Sequence, residues 1–435
     1  MEKTKKKLPI IFESSITAEP KTSPAEHPNS SGNSKETKGH SLEFMAIASV
    51  PLVLVLGNSM LVPILPDLQE KLGVSQFQSS LVISLFSVTA GLVIPISGYL
   101  SDRFSRKAVI IPSLIIYGSA GIIAGLGAMW NSYPILIASR AVQGLGAAGT
   151  APIAMALAGD MFKGGMESKA LGLTEASNGF GKVISPILGS LLALIVWYGA
   201  FFAFPFFCLL SLLAVIFLLK EPAKAEEPLK LKPYLKSIAA ILKEKGRWLI
   251  TSFFAGSMAL FVLFGVLFYL SNILEEAPYT IDGVKKGFVL AIPLLGLVIA
   301  SYTTGATIKK NGVAMRWLMN IGLGIMMIAL GSCMFILEKN LYVFIGLLTL
   351  SSIGTGLLLP CLNTMITGSV EKQQRGMITS IYNSLRFLGV AFGPPLFSWM
   401  MEISHQLVFI TVTSMTFVAL GLVFFLVKPK GELNG

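Results

Sequence analysis

Beyond its first forty residues the chain alternates between apolar blocks of roughly twenty residues and short polar breaks. A bilayer core about 30 Å thick is crossed by about 20 apolar residues of helix, so each block predicts a membrane-spanning helix. The pattern predicts twelve such spans. Six lie near 43–66, 76–99, 107–129, 133–160, 167–196 and 199–219, and six more near 248–274, 285–308, 314–336, 341–368, 375–401 and 406–427. Several exceed 25 residues, which predicts tilt or ends that project from the bilayer. The predicted fold is an all-α membrane protein, its transmembrane helices forming two six-helix pseudo-repeats. Bundles at 42–219 and 248–428 flank a linker at 220–247, with tails at 1–41 and 429–435.

Composition agrees with this pattern. Of the 435 residues 53% are hydrophobic and 13% charged, about half the charged share of a soluble domain. Residues 1–41 are rich in Lys, Glu, Ser, Pro and Thr, with Ile10-Ile11-Phe12 as their apolar run, and predict a disordered tail. That run is too short for the apolar core of a cleavable signal. The net charge of +11 raises the question of nucleic acid, and its distribution answers it. With the N-terminus inside, the inner segments hold 27 Lys and Arg and the outer loops hold 4; without the tail the inner count is still 20. The asymmetry predicts both termini in the cytoplasm and makes the basicity topological, with no nucleic-acid partner. Cys208, Cys333 and Cys361 all fall in apolar blocks, and His27, His40 and His405 are scattered. Neither pattern offers a disulfide framework or a metal site, and no cofactor is expected. No nucleophile–base pair appears, so an enzyme is not expected either.

Within the linker, Leu231, Tyr234, Leu235, Ile238, Ile241 and Leu242 recur at helical spacing, with Lys232, Lys236, Lys243 and Lys245 on other faces. This predicts a basic amphipathic helix lying on the inner membrane surface. The two halves repeat at an offset of 208 residues: Pro152 with Pro360, Gly181 with Gly389, Pro186 with Pro394, Glu175 with Asn383 and Asn178 with Arg386. Parallel six-helix repeats are a transporter architecture, with the substrate site near the midplane between the halves.

Three motifs sharpen the reading. Gly98-Tyr99-Leu100-Ser101-Asp102-Arg103-Phe104-Ser105-Arg106-Lys107 joins the second and third spans. It resembles the Gly-x-x-x-Asp-Arg-x-Gly-Arg-Lys loop of the major facilitator superfamily, with Ser105 in place of the second glycine. Arg140-Ala141-Val142-Gln143-Gly144-Leu145-Gly146-Ala147-Ala148 on the fourth span resembles that superfamily's Arg-x-x-Gln-Gly-x-Gly-Ala-Ala motif. Gly181-Lys182-Val183-Ile184-Ser185-Pro186 resembles the helix-bending motif of its drug:proton antiporters, and Gly389-Val390-Ala391-Phe392-Gly393-Pro394 keeps the Gly-x-x-x-Gly-Pro core more closely. The glycines at 144, 146 and 149 also fit a dinucleotide fingerprint, but no strand precedes them. The resemblance implies a gating loop of Gly98, Asp102, Arg103, Arg106 and Lys107. In it Asp102 would meet the start of the eleventh span near Gly376 and Arg106 would pair locally. It also links Arg140 to proton transfer and makes Gly181, Pro186, Gly389, Gly393 and Pro394 points of helix bending.

Charge deep in a span costs roughly 2.5–3.5 kcal/mol on insertion scales, and such residues mark transport paths. Glu175 is the one carboxylate deep in any predicted span, beside the cations Arg140, Lys182 and Arg386. Glu175 and Arg140 are therefore candidates for proton coupling, and Lys182, Arg386, Asn383 and Asn58 for substrate contact. A structural ion pair of Glu175 with Arg386 or Arg140 is the alternative. Asn58 stands where many drug antiporters carry an acid, and it cannot titrate. The expectation is a monomeric transporter of a bacterial-type plasma membrane, exchanging a small organic compound or drug for protons by alternating access. Export of an anionic chelator such as a siderophore, proton-linked uptake, and a non-transporting sensor remain open.

Overall fold

A computed structural model describes residues 41–162, 165–221, 231–308, 311–336, 340–368 and 372–428. The predicted tails up to residue 40 and from 429, and residues 222–230 of the stretch between the bundles, lie outside the described residues. Fourteen helices follow one another among them. They are α1 (Ser41–Ser59), α2 (Leu65–Leu72), α3 (Gln76–Arg103), α4 (Arg106–Met129), α5 (Tyr133–Ala147), α6 (Ala151–Met161), α7 (Gly165–Ala193), α8 (Gly199–Leu218), α9 (Leu231–Glu275), α10 (Gly283–Thr307), α11 (Gly312–Ile336), α12 (Leu341–Gly368), α13 (Lys372–Ile403) and α14 (His405–Leu426). A 3₁₀ turn at Val62–Ile64 joins α1 to α2, so these two make one span. The pair α5 and α6 makes another. Ten spans among the described residues are long and apolar enough to cross a membrane, and α7 and α13, which carry Lys182 and Arg386, complete twelve.

Local chemistry sets the breaks. Ser75 accepts from Gln78 N while Gln78 returns a bond to Ser75 N, a capping box that starts α3. Ser105 accepts from Ala108 N to start α4. The fourth span is interrupted where Gly149 and Thr150 precede Pro152, which cannot supply its N–H to the ladder. Its repeat counterpart, Pro360, stays inside the unbroken α12. Leu357, Leu358 and Leu359 precede Pro360, and leucine favours the helix where glycine and threonine do not.

The basic stretch predicted as a separate surface helix is the beginning of α9, which runs without interruption into the seventh span. A helix of 45 residues is about 67 Å long at 1.5 Å per residue. It cannot both lie in the membrane plane and cross it, so its first turns project beyond the bilayer.

Packing displays the pseudo-repeat. In the first half α4 packs on α5 and α8, and α3 on α5; in the second, six spans later, α11 packs on α12 and α14, and α10 on α12. Between the halves, α3 lies along α13 and α7 along α10. Advancing by six spans exchanges these two contacts, as a two-fold axis between the halves requires. The helix connections at one end carry Arg103, Arg106, Lys107, Lys220 and Arg316, and this end is called the basic face below.

Candidate functional site

The largest fully buried side chain among the described residues is Arg140 on α5, with 0% of its surface exposed. Its Nε donates to Val82 O on α3 at 2.8 Å. Nη1 donates to Gln143 Oε1 at 2.5 Å, one turn away, and reaches Gly57 O at 3.5 Å. Nη2 donates to Asn58 Oδ1 on α1 at 3.2 Å. The guanidinium sits 4.4 Å from the centre of the Phe86 ring, a cation–π contact. Arg140 and Asn58, 82 residues apart, are thus brought together as one brace across α1, α3 and α5, sealed from solvent.

The other candidates lie on the two helices that join the halves. Lys182 on α7 is half-buried and engaged. On α13, Arg386 Nη1 donates to Asn383 Oδ1 at 3.3 Å, and its guanidinium lies 5.3 Å from the Tyr382 ring centre. The Arg386 Nε has no partner among the described residues. Asn178, the repeat counterpart of Arg386, likewise holds a buried Oδ1 without a partner there. Glu175 lies on α7 as well, but its side chain is outside the described residues. Arg386 is therefore the candidate with an unused charged donor.

Helix bending has a visible basis. Pro186 interrupts the ladder of α7, and Ser185 Oγ folds back to Gly181 O in the turn before it, a bond that bends helices. Pro394 and Pro395 lie inside α13 and take two N–H donors from its ladder. Gly181 faces Leu52 and Val55 of α1, and Gly389 and Gly393 face the backbone of α9 at Ser257 and Gly265.

At the basic face, Asp102 ends α3 beside Gly376 of α13, where a Cβ would stand 3.7 Å from its Oδ2. Arg106 Nη1 pairs with Asp102 Oδ1 and donates to Ser101 Oγ at 2.7 Å, while its Nε meets Asp160 Oδ2 at 2.9 Å. Above this contact Gly98 leaves room for Ser380, and Ser384 Oγ donates to Gly91 O at 2.6 Å. At the opposite end the halves meet through Ser271 Oγ, donating to Val62 O at 2.8 Å, and Gln69 Nε2, donating to Asn272 Oδ1 at 3.1 Å.

A helical bundle with charges braced at depth, and halves in contact at both ends, matches a known profile. That of the Major Facilitator Superfamily matches residues 47–326 and 277–434. The chain belongs to the Major Facilitator Superfamily. A Bacillus subtilis (strain 168) protein named bacillibactin exporter is 45% identical over 390 residues, covering 89% of this chain and 96% of that one. Multidrug resistance protein 2 of the same organism is 23% identical over 402 residues, covering 89% and 96%. The crystal structure of the human organic anion transporter MFSD10 (TETRAN) shares the fold, with a TM-score of 0.70 at 19% identity over 87% of this chain and 98% of that chain. The protein is a multi-pass membrane transporter and not an enzyme.

One part of this facilitator's basic face escapes sequence reading. Glu221, just past α8, accepts from Arg106 N at 2.6 Å through Oε1 and from Lys107 N at 3.0 Å through Oε2. It therefore satisfies two open N–H groups at the start of α4 with a negative charge, a favourable site for an anion. In the sequence it is one acid beside a lysine-rich stretch, and only its place 115 residues from Arg106 in a folded bundle gives it a role. Glu221→Ala is expected to lower stability by about 1–2 kcal/mol, the value of a lost cap. Thermal unfolding in detergent checks this, and an unchanged midpoint would refute the cap.

Proposed function

We propose that this transporter exports bacillibactin or a compound of its class from the cytoplasm in exchange for protons. The observation that carries the reading is the 45% identity to the bacillibactin exporter over almost the full length of both chains. Among the readings open from the sequence, export of an anionic chelator is the one this relative favours. The charge inventory agrees, because Arg386 holds an unused donor and no carboxylate among the described residues pairs with it.

In this reading the basic face is cytoplasmic, as the positive-inside asymmetry implies, and a monomer works in the plasma membrane. Lys182, Asn383 and Arg386 contact the substrate, and Glu175 exchanges the proton. Arg140 holds Asn58 and fixes the first span against the third-helix face on which it turns. Gly98, Asp102, Arg103, Arg106 and Lys107 steady the closed basic end. Gly181, Pro186, Gly389, Gly393 and Pro394 let α7 and α13 flex. Exchange needs only that substrate and proton each weaken the other's binding.

Cells lacking the protein are expected to retain bacillibactin, and cells overproducing it to hold less; the opposite pair of results means uptake. In inverted vesicles, Glu175→Gln is expected to uncouple flux from the pH gradient. Lys182→Ala is expected to weaken an anionic substrate roughly tenfold, about 1.4 kcal/mol, and a cationic one less. The multidrug resistance relative supplies the second reading, and a stronger effect on the cationic substrate would favour it.

A further inference from the structure

Two charged residues at the end opposite the basic face look unremarkable in the sequence. Glu275 ends α9, Lys286 stands on the first turn of α10, and a short loop joins them. Read as a sequence, Lys286 is an outer-loop cation. In the fold its side chain is 1% exposed and forms an ion pair with Glu275, which is 26% exposed. An ammonium so deeply buried requires its partner, since the cost of stripping its water is several kcal/mol.

The partner set does not stop at Glu275. Asp67, on the first turn of α2, belongs to the other half of the molecule and is half-buried. It lies within electrostatic reach of both Lys286 and Glu275. The joint holding all three is the closed end of the transporter. There the 3₁₀ turn and α2 pack against α9 and α10, tied by the Ser271–Val62 and Gln69–Asn272 bonds.

The charges that reach this cluster are unequal. On α2, Glu70 and Lys71 pair with each other at 3.0 Å. At the start of α10, Asp282 adds a further carboxylate that acts on both Asp67 and Glu275. From α7, which also packs on the 3₁₀ turn, come the uncharged Gly189 and Ser190. Setting the Glu70–Lys71 pair aside, three carboxylates face one ammonium. A partly buried cluster with excess negative charge binds a proton more tightly than the same groups in water.

We propose that closure of this end takes up one proton from the outer medium onto a carboxylate oxygen of Asp67 or Glu275, making the Asp67–Lys286–Glu275 cluster a proton-linked latch between the halves. When the end opens, Asp67 leaves Lys286, both carboxylates regain water, and the proton returns to the medium. The closed state holds the proton more tightly, so lowering the outer pH favours closure. The latch thus senses outer acidity, a role separate from the proton exchange assigned to Glu175. It rests on the topology proposed above.

The test uses the full chain in nanodiscs without substrate. Spin labels are placed at Trp130→Cys in the first half and Ala277→Cys in the second, both exposed at this end, with the buried native cysteines replaced. Lowering the pH from about 8 to about 5 is expected to convert long label distances to short ones. Asp67→Asn and Glu275→Gln are expected to remove this step, whereas Asp67→Glu and Glu175→Gln keep it. A step that persists unchanged in both Asp67→Asn and Glu275→Gln, or that is missing in the parent, overturns the latch. The labels report without transport, so proton-independent flux alongside an intact step would sink the exchange reading and leave the latch standing.

Discussion

Arg140→Met is expected to bring transport to background and to destabilise the fold by about 2–4 kcal/mol. Its guanidinium ties together three helices through Val82 O, Gln143 Oε1 and Asn58 Oδ1. Gly57 O, near the end of α1, is only a marginal contact at 3.5 Å, and the Val82 carbonyl sits mid-helix in α3 and keeps its helical bond when the guanidinium is gone. The amide oxygens of Asn58 and Gln143 do not, and a buried acceptor left unmade costs about 1–3 kcal/mol. Losing the side chain also opens space against Phe86, while removing a buried charge returns some desolvation energy, so the total stays below the sum of the bonds. Arg140→Lys is expected to fail nearly as badly, because one ammonium cannot span the fork that reaches α1, α3 and its own helix. Asn58→Asp is expected to be tolerated, since it gives the guanidinium an ion-pair partner in place. Thermal unfolding in detergent with flux in proteoliposomes checks all three, and an Arg140→Met protein that melts with the parent would refute the brace.

The second expectation contrasts two glycines that the repeat makes equivalent. A Cβ on Gly389 would press into the carbonyl of Ser257, with its carbon at 2.9 Å and its Oγ at 2.8 Å. That is helix backbone, which cannot step aside without separating α9 from α13. A Cβ on Gly181 would meet only side-chain ends, Leu52 Cδ1 at 3.0 Å and Val55 Cγ1 at 3.3 Å. Overpacking of a rigid contact costs about 1–3 kcal/mol, while replacing a helical glycine by alanine returns about 1 kcal/mol. Gly389→Ala is therefore expected to lose stability and most transport, and Gly181→Ala to be near neutral. Equal melting points for the two variants would show that the contacts on α13 yield as easily as those on α7.

The spans and the two-fold repeat were readable because both are written in the long-range pattern of the chain: block length fixes a crossing helix, and an offset of 208 aligns glycines and prolines. What that pattern does not carry is where a helix breaks or continues. Pro152 and Pro360 look alike in the sequence, yet only the first interrupts its span, because the residues before it differ. The linker helix was legible as a helix, but nothing in its periodicity said that it runs straight into the seventh span. The polar residues were found one at a time and their partners were not. Asn58 and Arg140 are each conspicuous for their depth, but only the folded bundle makes them one unit. Lys286 was counted with the surface cations for the same reason, although acid and base at the two ends of a short loop were a signal that could have been used. Glu221 carried no such signal.

The continuity of α9 has a mechanical meaning. Glu275, a member of the latch, is the last residue of the same helix that begins at Leu231, beyond the basic end of the bundle. A stiff rod about 67 Å long converts each degree of tilt into about 1 Å of travel at its far tip. One end of the protein is thus a lever arm for the other, so a load applied to the stretch between the halves is felt at the opposite mouth.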